Sequence, residues 1–126
     1  MSPDDVPGGL LLDYRLDSGV AVVTVTGEVD VSTSPSLRDG LLRVINDEIP
    51  RGLVVNLASV SFLDSTGVGV LVGIWHRARA ATRCLALAAP SGQARSVLEA
   101  TGLATVLPVY DTQAQAVQAC QEAGAG

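Results

Sequence analysis

Residues 64–67, Asp-Ser-Thr-Gly, set a carboxylate, two hydroxyls and a glycine side by side where an apolar stretch gives way to a helical pattern. The first backbone N–H groups of a helix lack intrahelical partners and its dipole is positive at that end, so such a corner suits an anion. A phosphoryl group on Ser65 or Thr66 is compatible with it. A second acid, Asp30, closes an earlier strand. Where neighbouring strands run parallel, their ends gather on one edge, which brings Asp30 towards Asp64 and Ser65. Each residue also has a purely structural reading, with Asp64 as a helix N-cap and Ser65 and Thr66 as ordinary first-turn residues.

Other chemistries are poorly served. The sequence has no Lys, which removes a Walker A loop, a Schiff-base lysine and a kinase-type ATP lysine. No G-x-S-x-G elbow is present. His76 follows Ser65 on the same helix at a separation of about 16 Å, too far for it to act as a base. One His and two distant Cys do not supply the convergent ligands that zinc needs. The formal net charge of −5, with eight Arg scattered along the chain, argues against nucleic acid and against docking on anionic membranes. The expectation is a protein that is no enzyme and has no cofactor and no metal.

The elements that must position this corner are legible from periodicity. The 126 residues fit one domain, and 48% of them are hydrophobic but only four aromatic, so the core is built from Val, Leu, Ile and Ala. Leu10 to Leu16 and Val20 to Thr26 read as a hairpin about the Asp17-Ser18-Gly19 turn, the second strand central in the sheet. Gly27-Glu28-Val29-Asp30 breaks it. Thr33 or Ser34 caps a helix with Pro35 in its first turn and an apolar stripe at Leu37, Leu41, Val44, Ile45 and Ile49, ended by Pro50-Arg51-Gly52. A strand over 53–57, a loop over 58–63 and a helix over 65–79 come next. Strand 84–88, a helix capped by Ser91 with Gly102 at C′, strand 106–109 and a last helix capped by Asp111 complete the chain. The last helix is expected to turn Ala114, Val117 and Cys120 inward. The order β-β-α-β-α-β-α-β-α implies an α/β fold, a mixed and mostly parallel sheet packed with about four helices.

The helix over 65–79 is apolar nearly all round. Val68, Leu71, Val72 and Trp75 are expected on the sheet, leaving Val70 and Ile74 as the apolar part of a partner surface beside the Asp30 turn and Glu28. Gly67, Gly69 and Gly73 each weaken a helix by about 1 kcal/mol against Ala, which suggests close approach by a neighbour. Residues 1–9 read as a flexible N-terminal tail without signal-peptide features, 10–122 as the domain, and 123–126 as a flexible C-terminal tail. No apolar run is long enough to span a membrane. Cys84 and Cys120 are expected as unpaired buried thiols, which fits a cytoplasmic protein.

Three segments resemble one family. Phe62-Leu63-Asp64-Ser65-Thr66-Gly67-Val68-Gly69-Val70-Leu71 is similar to the phosphorylation segment of STAS-domain anti-sigma factor antagonists. Gly27-Glu28-Val29-Asp30 resembles the turn after that family's second strand, and Val97-Leu98-Glu99-Ala100-Thr101-Gly102-Leu103 the close of its third helix. The resemblance implies partner switching: the unphosphorylated antagonist binds an anti-sigma factor that is also a serine kinase and so releases a sigma factor. Phosphorylation in the turn dissociates the pair and a phosphatase resets it. It puts the phosphoacceptor at Ser65, with Thr66 the alternative, flanked by Asp64, Gly67 and Asp30. The alternative within the family is a STAS-type scaffold or ligand-binding regulatory module without a phospho-switch, which is disfavoured by the short chain.

Overall fold

The structure is a computed structural model that describes residues 9–47 and 52–125. Its strands are β1 (Leu11–Asp17), β2 (Val20–Val29), β3 (Gly52–Leu63), β4 (Cys84–Ala88) and β5 (Val109–Tyr110). The helices are α1 (Ser34–Asn46), α2 (Ser65–Ala80), α3 (Gly92–Ala100) and α4 (Gln113–Ala125), with a 3₁₀ turn at Leu103–Thr105. The strands form one sheet in the order β1-β2-β3-β4-β5. β1 and β2 are antiparallel and every other pair is parallel. This is the mixed α/β architecture expected from the element order.

Strand residues sort by parity into two apolar layers. Ala21, Val23, Val25, Leu53, Val55, Leu57, Leu85 and Leu87 face α1, α2 and α3 in the larger core. Val20, Val22, Val54, Ala86 and Ala88 face α4 across the other side. A strand buried on both faces reads as a continuous apolar run, which is why β2 and the first half of β3 are so rich in Val.

Several elements depart from their expected form. β2 does not stop at Thr26; it continues to Val29, pairing Glu28 with Phe62 and Val29 with Leu63. Gly27 makes this possible with φ +122°, and a side chain there would run into the Gly9 carbonyl oxygen. Residues 58–63, expected as a loop, are strand. Two register shifts against β2, between Thr24 and Thr26 and between Gly27 and Glu28, replace alternation by burial of Leu57, Val60 and Leu63 alone. That three-residue spacing hid the strand. β5 covers 109–110 rather than 106–109, because the 3₁₀ turn takes the chain as far as Thr105 and Val106 is exposed.

In α4 the cap is Thr112, not Asp111. Thr112 Oγ1 accepts from Gln115 N (3.2 Å) while Gln115 Oε1 accepts from Thr112 N (3.2 Å), a reciprocal capping box. Asp111 instead pairs with Arg95 at 3.0 Å. The shifted start turns Ala116, Val117 and Cys120 inward and leaves Ala114 exposed. The helix also runs on to Ala125, through most of the segment expected as a C-terminal tail. Residues 1–8 of the expected N-terminal tail, Ile49, and the stop at Pro50-Arg51 lie outside the described residues.

The cysteines overturn the expectation of free thiols: Cys84 and Cys120 form a disulfide with Cα atoms 5.4 Å apart. Both side chains belong to the layer between the sheet and α4, so the bond fastens α4 to the start of β4. Gly52 leaves room for it, since a Cβ at that position would lie 2.9 Å from Cys84 Cβ and 3.2 Å from Cys120 Sγ. The cysteines therefore cease to argue for a reducing compartment. Among the described residues no helix is long and apolar enough to cross a membrane.

Candidate functional site

The site is built where β2 and β3 end together. Because Val29 and Leu63 are paired neighbours in parallel strands, the residues that follow them, Asp30 and Asp64, leave the sheet on the same edge. Asp64 N donates to Val29 O at 3.1 Å, which ties the two exits together. β4 pairs with β3 only as far as Asn56, so the last part of β3 needs another partner on that side. Gln93 of α3 provides it, its side-chain amide accepting from Leu63 N and donating to Leu63 O, both at 2.8 Å.

Each acid then organises a turn. Asp64 is the N-cap of α2: its Oδ1 accepts from Thr66 N (2.9 Å), Gly67 N (3.2 Å) and Thr66 Oγ1 (2.5 Å). The Thr66 hydroxyl bond, followed by the backbone donors of Gly67 and Thr66, holds the Asp64 carboxyl below the ordinary aspartate value. The charge of Asp30 opposes that shift, which puts the two carboxylates within electrostatic reach. Asp30 accepts from Ser32 Oγ (2.7 Å), Ser32 N (2.9 Å) and Thr33 N (3.1 Å), and is likewise held low, first by the Ser32 hydroxyl. Behind it the buried Thr33 hydroxyl donates to Glu28 O (2.8 Å) and accepts from Asp30 N (2.9 Å), locking the turn onto β2.

The two hydroxyls in the turn differ. Ser65 and Thr66 are both exposed, but the Thr66 hydroxyl is engaged by Asp64. The Ser65 hydroxyl has no hydrogen-bond partner among the described residues. The anion corner is also less open than the sequence suggests. Asp64 already takes the N–H groups of Thr66 and Gly67, so a further anion there meets carboxylates more than free donors.

Gly67 is the one glycine of α2 that its own chain requires. A Cβ there would lie 2.5 Å from Leu63 Cδ1 and 2.6 Å from Val29 Cγ1, so the helix start can approach the strand ends only without it. Gly69 and Gly73 face open space instead, so among the described residues no neighbour approaches them closely.

The buried stripe of α2 is Gly67, Leu71, Ile74 and Ala78, rotated from the expected one. Ile74 is 2% exposed and packs in the main core, which corrects its placement on an outward partner surface. Val68, Val72 and Trp75 are only half-buried, Arg79 lying 4.9 Å over the Trp75 ring. With so many apolar residues around the helix, periodicity alone could not fix its rotation. Val70 is half-buried at the wall of a groove of about 430 Å³ between α1 and α2. Gly69, Gly73 and Ile74 of α2 also line it, with Arg38 and Arg77.

Two exposed apolar residues at the strand ends escaped the sequence reading. Val31, 72% exposed, follows Asp30, and Phe62, 38% exposed, pairs across with exposed Glu28. An apolar residue of a strand is ordinarily read as core, and only the register shifts in β3 turn Phe62 outward. Gln93 was equally silent, since nothing in its local pattern announces a side chain that finishes a neighbouring strand.

The fold agrees with that of other proteins. The sequence profile of the STAS domain matches residues 12–116, and the chain belongs to the STAS domain family. It is 34% identical over 89 residues to the anti-sigma-B factor antagonist of Staphylococcus aureus, covering 71% of this chain and 82% of that one. It is 27% identical over 108 residues to the anti-sigma F factor antagonist of Paenibacillus polymyxa, covering 86% and 92%. The crystal structure of an anti-sigma factor antagonist from Mycobacterium paratuberculosis superposes with a TM-score of 0.83 at 30% identity, over 92% of this chain and 97% of that one.

Proposed function

We propose that this protein is an anti-sigma factor antagonist, binding an anti-sigma factor that is also a serine kinase and thereby freeing a sigma factor. The kinase turns it off by phosphorylating Ser65, and a phosphatase turns it on again. Relatives named as antagonists across most of the chain support the class. The observation that carries the switch is the contrast between the two hydroxyls. Ser65 presents an exposed, unbonded Oγ to an incoming nucleotide, whereas Thr66 must first break its bond to Asp64.

The binding surface in this reading joins Glu28, the Asp30 turn, Asp64 and Ser65 with the half-buried Val70 and the open glycines of α2. Val31 and Phe62 add apolar area at the strand ends. Glycines that cost helix stability and touch nothing in their own domain are explained by a partner that comes close. A phosphate on Ser65 brings about −1.5 to −2 charges to a place where Asp64 and Asp30 remain ionised at neutral pH. In a desolvated contact that faces the kinase's own nucleotide, like charge of this size costs several kcal/mol, and about 2.7 kcal/mol already weakens binding a hundredfold.

The test is capture of partners from extract of the source cells with and without ATP, followed by titration of the captured kinase with Ser65→Ala, Ser65→Asp and Thr66→Val. Ser65→Ala and Thr66→Val are expected to bind like the parent, and Ser65→Asp to bind at least tenfold more weakly with an unchanged melt. Parent-like binding by Ser65→Asp, or loss of binding only through unfolding, would rule the switch out.

A further inference from the structure

The two edges of the sheet are unlike. β5 is two residues long, a short edge of the kind that discourages strand pairing. β1 is seven residues long and, among the described residues, pairs only with β2, so its other backbone groups face outward. Three of its residues are exposed large apolar side chains: Leu11 at 38%, Tyr14 at 43% and Leu16 at 60%. Leu12 and Tyr14 border a groove of about 360 Å³ against α1, together with Gly40, Arg43 and Asp47, and Leu16 follows on the same face by alternation. The opposite face carries Asp13 and Arg15, joined at 3.1 Å by an exposed ion pair of the kind that contributes little within one chain.

We propose that β1 is a self-complementary edge through which two copies of this chain pair antiparallel about a two-fold axis at Tyr14. The charges choose the occupant and the register. Laid antiparallel about Tyr14, β1 sets Asp13 opposite Arg15 of the second copy and Arg15 opposite its Asp13, giving two cross-strand ion pairs. The same register sets Leu12 opposite Leu16 and Tyr14 opposite Tyr14 on the α1 face, so exposed Tyr14 and Leu16 are covered beside the two grooves, while Leu11 falls opposite Asp17 on the charged face. Charges that guard an edge against association repel a copy of themselves; this alternation of acid and base attracts one. An isologous contact of this kind closes at two copies and joins two five-stranded sheets into one. It leaves the corner at Asp30 and Ser65 free, since that lies at the strand ends rather than along β1. A single strand pair with flanking side chains is a small interface, so association in the micromolar range or weaker is expected.

The experiment is sedimentation velocity of the full chain, dilute to highly concentrated, for the parent, Asp13→Arg, Arg15→Asp and an equimolar mixture of the two variants. Asp13→Arg sets its new guanidinium against Arg15 of the second copy, and Arg15→Asp sets its new carboxylate against Asp13 of the second copy. Each variant alone should therefore associate at least about tenfold more weakly than the parent. In the mixture a strand with two guanidinium groups meets a strand with two carboxylates, and association should return to within a few-fold of the parent. Both positions are exposed, so all variants should melt like the parent. A parent chain that stays monomeric at the highest concentration overturns the proposal, as does a mixture that associates no better than its components.

Discussion

Replacing the three glycines of α2 one at a time by alanine separates packing within the domain from the use of the outer helix face. An added methyl in a helix interior gains about 1 kcal/mol over glycine when it meets nothing. Gly69 and Gly73 have nothing within 4 Å of the added Cβ, so Gly69→Ala and Gly73→Ala should each stabilise by about 0.5–1 kcal/mol. Gly67 has Leu63 Cδ1 at 2.5 Å and Val29 Cγ1 at 2.6 Å, both from fully buried residues. Leu63 can swing its end methyl aside, but Val29 is β-branched and held in a paired strand, so part of the clash stays. Overpacking of this kind costs about 1–3 kcal/mol, which against the propensity gain leaves Gly67→Ala between about neutral and 2 kcal/mol destabilised. Urea unfolding at neutral pH reads all three as midpoint shifts at constant slope. The partner titration should reverse the order for the outer pair: the more stable Gly69→Ala and Gly73→Ala variants should bind the anti-sigma factor more weakly. Stabilised variants that bind like the parent would show that the open glycines face no partner. A Gly67→Ala variant as stabilised as the others would show that the helix start is not held against Val29 and Leu63.

Other perturbations follow from the same contacts. Removing the disulfide as Cys84→Ala/Cys120→Ala releases a loop spanning 36 residues and should cost about 4 kcal/mol on the chain-entropy account, seen as an earlier urea midpoint, with no effect on phosphorylation; an unchanged midpoint would mean that the bond does not constrain the chain in solution. Gln93→Ala should cost about 1–2 kcal/mol and weaken partner binding, because the Leu63 backbone groups lose both bonds that hold the end of β3; equal stability with equal binding would contradict that role. Asp64→Ala should melt below the parent at neutral pH. Since the folded-state carboxyl is held below its ordinary value of 3.8, the stability it contributes is present above that value and lost as pH falls through the lower folded one, so the gap between the two melts should close in strong acid. A gap that stays constant with pH would assign the effect to something other than the ionised cap.

Much of the fold was legible because several elements carry their own period. Val20 to Val25, buried on both faces, announces a central strand. Leu37, Leu41 and Ile45 mark the inner side of α1, and Gly102, at φ +73°, closes α3 as expected. Chain order then dictated the parallel crossovers. What escaped was decided by tertiary partners. The shifts in β3 come from its pairing with β2, the inner face of α2 from a helix apolar on too many sides, and the disulfide from a layer that only the folded sheet brings together. At the corner itself the sequence placed Asp30 and Asp64 at strand ends on one edge, which the pairing of Val29 with Leu63 reproduces. The resemblance put Ser65 ahead of Thr66 without a physical reason, because only the folded turn shows that Asp64 reaches past one hydroxyl to hold the other.

That asymmetry leads to the most direct measurement. The chain is incubated with the captured anti-sigma factor kinase and ATP, the phosphosite is located by mass spectrometry, and the phosphorylated chain is titrated back onto the kinase. A switch at Ser65 gives a single phosphate on that residue, a melt close to the parent's, and affinity about a hundredfold lower or more. A phosphate found elsewhere, or a Ser65 phosphoprotein that binds as tightly as the unmodified chain, contradicts it.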